Sequence, residues 1–394
     1  MKTSFKRIGG SVTAPQGFRA AGIAAGIKSS GKKDVALIVS DVAATAAATF
    51  TTNQVKAAPV KLSMEHVKSG KARAIVANSG NANACTKDGP IHARAMACAV
   101  SRRLGCKEEH VLVCSTGRIG ENLPIVKVEA GIKDSLGKLS RTGGPLAAQA
   151  IMTTDTFAKE VAVQFKAGAK TFRVGGICKG AGMIQPKMAT MLCFITTDAA
   201  VPRAALQKAL RHAVDKSFNR VSVDGDTSTN DTVILLANGV AGAAPLGKFQ
   251  EALDFVCLEL AKMIVRDGEG VSKFVTIHVR GAASDRDAEI AARSVANSVL
   301  VKTSWCGGDP NWGRILDALG YSSARVNGED VDIDYDGVAA VRGSRATRTP
   351  LAKLKKIVGK PTFTIDINLR IGRGQCTMHT CDLTEKYVEL NKGE

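Results

Sequence analysis

Residues 179–194 read KGAGMIQPKMATMLCF, and the rest of the chain is best interpreted around them. Two glycines near the start of this stretch allow its backbone to approach another backbone or a ligand closely. The run from Met188 to Ile195 is short, apolar and preceded by glycine and proline, which is typical of a buried strand. Thr190 lies near the start of that run. A hydroxyl there can act as a nucleophile, although a threonine on a strand is more often a β-branched residue that packs well.

The same stretch resembles the cleavage and nucleophile segment of the ornithine acetyltransferase family, the bifunctional glutamate N-acetyltransferases. The family pattern is close to K-G-[SA]-G-M-I-x-P-x-M-A-T-M-L. In that family the Ala–Thr bond cuts itself, and the new N-terminal threonine binds the acyl group. The resemblance therefore implies a scissile bond between Ala189 and Thr190. Residues 1–189 would then form an α chain and residues 190–394 a β chain, and the two would share one core.

Self-cleavage also supplies a base for Thr190. A threonine hydroxyl is a poor nucleophile at neutral pH and needs an adjacent base. Attack of this hydroxyl on the carbonyl of Ala189 gives an ester by an N-to-O shift, and water then frees a new α-amine. A free α-amine has a reference pKa of about 7.7–8.0 and can take up a proton near neutral pH. One residue would therefore provide both nucleophile and base.

An acyl-enzyme reaction also needs donors for an oxyanion. Residues 114–124 read CSTGRIGENLP, which matches the family pattern S-T-G-x-I-G-x-x-L-P. The resemblance implies that Thr116 donates its hydroxyl and Gly117 its backbone N–H. The alternative from the residues alone is an ordinary Ser-Thr-Gly turn.

Further positions match the substrate-binding residues of the family. They are Thr153, Lys179, Thr190, Glu269 and Asn391. A lysine can bind a substrate carboxylate, and an acid is the expected partner for the ammonium of ornithine or glutamate. Thr154 is an adjacent alternative to Thr153. The family pattern has a last threonine beyond Asn391 that has no counterpart here, so its effect on substrate affinity is left open.

The acidic segment VDGDTSTND at residues 223–231 has a different interpretation. Its aspartates are close together, but a calcium loop requires glycine at its sixth position and a late glutamate. Thr229 and Leu235 occupy those positions, which argues against calcium. The segment matches a family motif, and we expect a structural loop near the site.

The pattern of helices and strands predicts an α/β protein. Strands occur in consecutive groups more often than in strict βαβ alternation, which favours layered sheets covered by helices. The resemblance implies the specific version, an αββα sandwich like that of the N-terminal-nucleophile hydrolases with altered connectivity, as in the D-aminopeptidase/ornithine acetyltransferase superfamily. The sequence predicts separate strands at 35–40 and 47–52, a helix at 89–104, paired strands at 160–165 and 171–178, and within 221–239 a strand, a loop and a helix.

Composition limits the class of protein. The net charge is +18, but lysine and arginine are spread along the chain and only 4% of residues are aromatic. This favours a solvated basic surface, or steering of acidic small molecules, over a nucleic-acid partner. The sequence contains no apolar run of about 18 residues. The N-terminal stretch MKTSFKRIGGSVTAPQGF has no apolar centre, and the ten cysteines include no Cys-x-x-Cys. We therefore expect a cytoplasmic protein without membrane partner, disulfide framework or metal.

The resemblance thus implies an acyltransferase of arginine biosynthesis. It would move the acetyl group of N-acetylornithine to glutamate by a ping-pong reaction on Thr190, without a cofactor. Acetyl-CoA is left open as a second donor. The α and β chains are expected to assemble into a heterotetramer or larger oligomer. Two alternatives remain: an amidase or aminopeptidase of the same superfamily, in which water takes the acyl group, and a secondary-metabolism relative that acts on other acylated amino acids.

Overall fold

The computed structural model describes residues 4–185 and 191–392 and confirms the α/β class. By its contacts the chain divides into two compact units. The first comprises Met1–Asn219 and Asp226–Ile264, and the second Arg220–Gly225 and Val265–Glu394. The predicted boundary between residues 189 and 190 falls inside the first unit. Both predicted chains therefore contribute to that unit.

The first unit is built on a nine-stranded sheet. Its strands are β1 (Phe5–Ile8), β2 (Phe18–Ile23), β3 (Val35–Phe50), β4 (Lys71–Asn81), β5 (Val111–Arg118), β6 (Lys159–Ala167), β7 (Lys170–Lys179), β8 (Leu192–Ala200) and β9 (Thr232–Ala243). The strand order is β1-β6-β7-β8-β9-β3-β4-β5, and β2 also pairs with β3. Strand β3 is long enough to pair with β2 and β4 through its first part and with β9 through its second. It therefore joins the two halves of the sheet.

Among the described residues, six α-helices belong to this part of the chain. They are α1 (Ala58–His66), α2 (Gly89–Leu104), α3 (Ile125–Gly137), α4 (Gly144–Ile151), α5 (Arg203–Lys216) and α6 (Leu246–Arg266). Helix α2 matches its predicted bounds, with a proline in its first turn and Gly105 in the left-handed conformation after its last residue. None of the helices in residues 4–185 and 191–392 is long and apolar enough to cross a membrane.

One half of the sheet is formed by β1 and β6 to β9, and the other by β2 to β5. In each half, successive residues of a strand face opposite sides of the sheet. Ile38 and Ile75 share one buried cluster with Ile177 and Phe194, so the two halves face each other across a common core. Helix α4 contributes to the same cluster.

The outer faces are covered by helices. Leu37 and Val76 pack in a second cluster with Met96 of α2, which also includes residues of α1 and α3. On the other half, Gly176 lies against Val256 and Leu260 of α6. The layers of the first unit are thus helix, sheet, sheet, helix, which is the expected αββα arrangement.

The second unit contains a six-stranded sheet of order β13-β12-β11-β14-β10-β15. Its strands are β10 (Phe274–Ala282), β11 (Asp332–Tyr335), β12 (Val338–Arg342), β13 (Arg345–Ala346), β14 (Thr362–Asn368) and β15 (Gly374–Cys381). Its helices are α7 (Asp285–Asn297), α8 (Val299–Cys306), α9 (Trp312–Gly320), α10 (Leu351–Val358) and α11 (Glu385–Leu390). Trp305 packs edge-on against Phe363 in its core, with ring centroids 6.1 Å apart.

Three of the predicted features were wrong. The strand expected at the start of 221–239 is only an isolated bridge between Val221 and His379. The helix expected after the acidic loop is strand β9, which starts at Thr232. It pairs in parallel with β8 and is buried, so its sequence is a continuous apolar run without strand alternation. The separate strands at 35–40 and 47–52 are one strand, β3, whose pairing with β4 shifts register between Val39 and Ala44.

The predicted pair β6 and β7 is confirmed as an antiparallel pair. Strand β7 then pairs antiparallel with β8, with Lys179 opposite Leu192. The chains on either side of the predicted cut are therefore joined by the hydrogen bonds of one sheet. This pairing places the end of β7 beside the start of β8.

Candidate active site

The predicted oxyanion residues lie where β5 ends. Thr116 is 5% exposed, and Gly117 next to it is exposed. Gly117 has a φ of 134° and stands opposite Gly80 of the parallel strand β4. A Cβ atom at Gly117 would collide with the backbone of Gly80 and Asn81. Only glycine fits here, because the two backbones approach so closely in a conformation that side chains rarely adopt.

Lys179 is brought next to Thr116 by the fold. It is the last residue of β7 and is 3% exposed, and its Nζ lies 3.5 Å from Oγ1 of Thr116. An ammonium group only donates hydrogen bonds, so Thr116 is the acceptor in this contact. The hydroxyl proton of Thr116 is therefore left for another acceptor. This is the arrangement that an oxyanion donor requires.

Asp155 connects Thr153 to the end of β7. One carboxylate oxygen accepts the N–H of Thr153 at 2.9 Å, and the other accepts the N–H of Gly180 at 2.8 Å and the ammonium of Lys159 at 2.6 Å. Burial favours a higher pKa, but the charges of Lys179 and Lys159 and the N–H of Gly180 outweigh it and lower the pKa of Asp155 to about 2. The buried carboxylate is therefore ionised at neutral pH and fixes two predicted substrate-binding segments to each other.

Lys28 is a second cation at this site. Its Nζ donates to the carbonyl oxygens of Met152 at 2.7 Å and Lys33 at 2.8 Å, and its stem lies against Gly80. Burial is the main cause that lowers the pKa of Lys28 to about 8, and the charge of Lys179 adds to it, against the opposing effect of Asp34. Lys28 thus fixes the residue before Thr153 beside the Gly80–Gly117 contact.

The predicted nucleophile Thr190 and its neighbour Ala189 lie outside the described residues. The described residues on either side of that segment contact residues 226–231, which we call the clamp loop. The N–H of Gln185 donates to the carbonyl of Asp226 at 2.7 Å, and the hydroxyl of Thr227 donates to the carbonyl of Gln185 at 3.0 Å. On the other side, the N–H of Met191 donates to a carboxylate oxygen of Asp231 at 2.8 Å.

The clamp loop also contacts strand β5, which ends in the predicted oxyanion residues. The side-chain amide of Asn230 donates to the carbonyl oxygens of Ser115 at 2.8 Å and Ala82 at 2.7 Å. Ser115 is the residue before Thr116. The expectation of a structural loop near the site therefore agrees with these contacts.

Glu269 and Asn391 form a pair in the second unit. The side-chain amide of Asn391 donates to Oε2 of Glu269 at 2.9 Å, across 122 positions of sequence. Gly270, with a φ of 69°, follows Glu269, and its carbonyl accepts the hydroxyl of Thr384. The predicted substrate-binding residues thus fall into two groups, one in each unit.

Sequence reasoning did not assign a role to three residues that contact the predicted site in the first unit. They are Lys28, Asp155 and Asp231. Asp155 lies within the polar stretch Thr-Thr-Asp-Thr, where an acid next to a matched threonine is the available signal. Lys28 has no local signal, because its contacts are distant in sequence. Asp231 has one, since it lies in the acidic segment 223–231 that was expected near the site.

Comparisons with known proteins agree with the resemblance. The sequence profile of the ArgJ family matches residues 19–393. A protein of Geobacter sulfurreducens named arginine biosynthesis bifunctional protein ArgJ is 48% identical over 385 residues, which cover 95% of this chain and 98% of that protein. A protein of Methanocaldococcus jannaschii named glutamate N-acetyltransferase is 47% identical over 399 residues, covering 98% of each.

A solved structure of ornithine acetyltransferase from Mycobacterium tuberculosis, complexed with ornithine, is 40% identical. It covers 48% of this chain and 99% of that chain, with a TM-score of 0.43. The sequence matches make this protein an acyltransferase enzyme. The chain belongs to the ArgJ family.

Proposed function

We propose that this protein transfers the acetyl group of N-acetylornithine to glutamate through an acyl-enzyme on Thr190, as a step of arginine biosynthesis. The observation that supports this most directly is the contact of Lys179 with Thr116. The next residue, Gly117, lies so close to the backbone of Gly80 that no side chain fits there. The names of the Geobacter and Methanocaldococcus relatives and the ornithine bound to the Mycobacterium protein favour these substrates.

The first step is self-cleavage. The hydroxyl oxygen of Thr190 attacks the carbonyl carbon of Ala189, the bond from that carbon to the nitrogen of Thr190 breaks, and the nitrogen gains a proton. Water then hydrolyses the ester, which leaves the Ala189 carboxylate, restores the hydroxyl and frees the α-amine of Thr190. That amine is the base for the later steps, since its reference pKa of about 7.7–8.0 is close to neutral pH.

Acetyl transfer then proceeds in two halves. The hydroxyl of Thr190 attacks the acetyl carbonyl of N-acetylornithine and gives its proton to the α-amine, which passes a proton to the leaving nitrogen of ornithine. The oxyanion accepts hydrogen bonds from the hydroxyl of Thr116 and the N–H of Gly117. The amine of glutamate next attacks the acetyl ester and restores the free hydroxyl. The acetyl group is bound to Thr190 between the halves, so no cofactor is required, and acetyl-CoA would serve as a second donor by acylating the same hydroxyl.

Two cations near the predicted oxyanion donors suit acidic substrates. Lys179 lies next to Thr116, and Lys28 lies against Gly80, which stands opposite Gly117. A carboxylate of glutamate or N-acetylornithine is the expected partner of Lys179. The N–H of Thr153 donates to Asp155, and Thr153 would contact the substrate. Glu269 would bind a substrate ammonium, with Asn391 as its neighbour.

The two chains stay associated in this proposal. Strand β7 lies before the cut and β8 after it, and their hydrogen bonds persist when the connecting bond is broken. The α chain of residues 1–189 and the β chain of residues 190–394 would form a pair, and such pairs would assemble into a heterotetramer or larger oligomer. We propose a cytoplasmic location for this enzyme.

The test begins with intact mass and N-terminal sequencing of the wild-type protein. Two fragments, the second starting Thr-Met-Leu-Cys-Phe, are expected. Acetyl transfer is then measured with N-acetylornithine and glutamate, and separately with acetyl-CoA and glutamate. Thr190→Ala should remain uncut, folded and inactive. Cleavage or turnover in that variant would overturn the nucleophile assignment, and release of free acetate in place of N-acetylglutamate would indicate an amidase.

A further inference from the structure

We propose that residues 382–387 form a latch that holds Asn391 beside Glu269 for substrate binding, and that Gly270 is its docking point. We call these residues the C-terminal latch. The inference rests on the proposed function, in which Glu269 and Asn391 bind the substrate. It adds Gly270 and Thr384 to that function as positioning residues.

The start of the latch is a buried carboxylate that binds the loop after Gly270. Oδ1 of Asp382 accepts the N–H of Ser272 and the N–H of Lys273, both at 2.9 Å. Its other oxygen, Oδ2, accepts the hydroxyl of Ser272. The first residues of the latch are therefore fixed to the same loop that contains Glu269.

The end of the latch contacts Asn391. The side-chain amide of Asn391 donates to the carbonyl of Tyr387 at 2.8 Å and to Oε2 of Glu269 at 2.9 Å. Both N–H groups of this amide are thus used, and its carbonyl oxygen is left as an acceptor for a substrate. The hydroxyl of Tyr387 also donates to Asp224 at 3.3 Å. The direction of the Asn391 acceptor therefore depends on where Tyr387 is held.

The middle of the latch lies against Gly270. The hydroxyl of Thr384 donates to the carbonyl of Gly270 at 2.6 Å. Gly270 has a φ of 69°, and a Cβ atom there would lie 2.5 Å from the nitrogen of Tyr387 and 2.9 Å from the carbonyl carbon of Lys386. Two backbones approach this closely only because residue 270 is glycine.

The contacts described above are polar, and the helix that follows the start of the latch is exposed. Every residue of α11 is at least partly accessible to solvent, including the apolar side chains of Val388 and Leu390. A helix of this length has little stability of its own. Its docked position should therefore depend on the hydroxyl of Thr384 and on the space at Gly270.

A latch that leaves its docked position weakens binding without changing the chemical step. When only a fraction of the molecules has the binding residues in place, the apparent dissociation constant rises by the inverse of that fraction. Loss of docking should therefore raise KM, whereas kcat at saturating substrate should change little.

Two variants release the latch in different ways, and each has a matched control in the same unit. Gly270→Ala places a Cβ atom where the latch backbone lies. Gly337→Ala is its control, because Gly337 has a φ of 75° but a Cβ atom there would lie in open space among the described residues. Thr384→Val removes one hydroxyl. Thr349→Val is its control, since Thr349 also donates to a backbone carbonyl, that of Ala339, at 2.6 Å.

Limited proteolysis of the full-length proteins measures docking directly. Trypsin can cleave after Lys386 when α11 opens locally, and mass analysis quantifies the released fragment. We expect this cleavage to be roughly 3- to 10-fold faster in Thr384→Val, which corresponds to the loss of one hydrogen bond. It should be faster still in Gly270→Ala and unchanged in both controls.

Steady-state kinetics measure the consequence for binding. KM for N-acetylornithine should rise by roughly 2- to 5-fold in Thr384→Val and by about 10-fold or more in Gly270→Ala, with kcat and self-cleavage preserved. Thr384→Ser retains the hydroxyl and should restore both the proteolysis rate and KM.

The remaining outcomes separate this inference from the proposed function. Wild-type transfer combined with unchanged proteolysis and KM in Thr384→Val and Gly270→Ala would overturn the latch and keep the proposed function. Faster proteolysis with an unchanged KM would show that the latch docks at Gly270 but has no role in binding. Equal effects in the controls would show a general loss of stability. A wild type that transfers no acetyl group would end the proposed function and the role in binding, while proteolysis would still decide whether Thr384 and Gly270 hold the latch.

Discussion

The ammonium of Lys179 lies 3.5 Å from the hydroxyl oxygen of Thr116, although the two residues are 63 positions apart in sequence. Since lysine can only donate, this contact leaves the proton of the Thr116 hydroxyl for a different acceptor. A buried positive charge behind an oxyanion donor also strengthens that donor, because a low-dielectric site screens charge poorly. The contact therefore links the proposed substrate-binding lysine to the proposed oxyanion donor.

Replacing Thr116 with alanine should lower kcat of acetyl transfer by roughly 10²–10³, which is the usual cost of losing one oxyanion donor. KM should change little, since the donor acts mainly in the transition state. Thr116→Ser retains the hydroxyl and should keep most of the activity. Steady-state kinetics of both variants check this, and an effect confined to KM would contradict the oxyanion role.

Asp155 should stabilise the folded protein in a pH-dependent way. Its folded pKa of about 2 is below its ordinary value of 3.8, so the unfolded chain binds more protons between these values. The stabilisation is fully present above about pH 4 and is lost as the pH falls toward 2. Asp155→Asn should lower the free energy of unfolding at neutral pH by about 3–5 kcal/mol, because it leaves Lys159 without its buried partner carboxylate.

An exposed pair with the same spacing provides the control for Asp155. Asp134 pairs with Lys138 at 2.9 Å, four positions apart like Asp155 and Lys159, but both side chains are exposed. Asp134→Asn should cost about 0.3–0.5 kcal/mol. Urea unfolding of the two variants across acid pH measures the contrast, and equal losses would show that burial adds nothing to the Asp155 pair.

The sequence correctly predicted the helices and strand pairs whose ends are marked by nearby residues. Helix α2 has apolar residues at helical spacing between a proline and a glycine, and β6 and β7 are separated by a short turn, so their bounds are encoded nearby. Strand β9 was predicted wrongly as a helix because a strand buried in a parallel pair lacks alternation. Only the partner strand distinguishes the two, and the partner is distant in sequence.

The candidate site divides in the same way. Two stretches that match family motifs contain Thr116, Gly117 and Lys179, so the sequence could predict these residues as candidates. The sequence did not give the distance between Lys179 and Thr116. Asp155 and Lys28 act through backbone groups of other segments, and no motif marks such contacts. Their identification required the fold, since a buried charge is recognised by its partners and not by its neighbours in sequence.

Lys28 should make stability rise with pH in the alkaline range. Its folded pKa of about 8 is below the ordinary 10.5, so the unfolded chain binds more protons between these values and stability increases as the pH passes through them. Lys28→Met should remove this rise. It should also raise KM, because it removes the bond to the Met152 carbonyl beside Thr153.

Lys127→Met is the matched control for Lys28→Met. Lys127 also donates to a backbone carbonyl, that of Gly26 at 3.0 Å, but it is exposed. Thermal unfolding of both variants and the wild type at several alkaline pH values, with KM measured at neutral pH, distinguishes the two lysines. A wild-type curve that coincides with that of Lys28→Met across this range would contradict the assignment.

Glu269→Gln should weaken substrate binding without affecting self-cleavage. The carboxylate of Glu269 already accepts the side-chain amide of Asn391 at 2.9 Å, and we expect a substrate ammonium as its charged partner. A hydrogen bond between charged groups contributes about 1.5–3 kcal/mol, so KM for the amino acid substrate should rise by roughly 10- to 100-fold while kcat changes less. Glu389→Gln alters an exposed acid that pairs with Lys386 on α11, and it should leave both parameters unchanged. Mass analysis should find Glu269→Gln fully cut; an uncut chain, or a loss confined to kcat, would assign Glu269 to cleavage or chemistry and not to substrate binding.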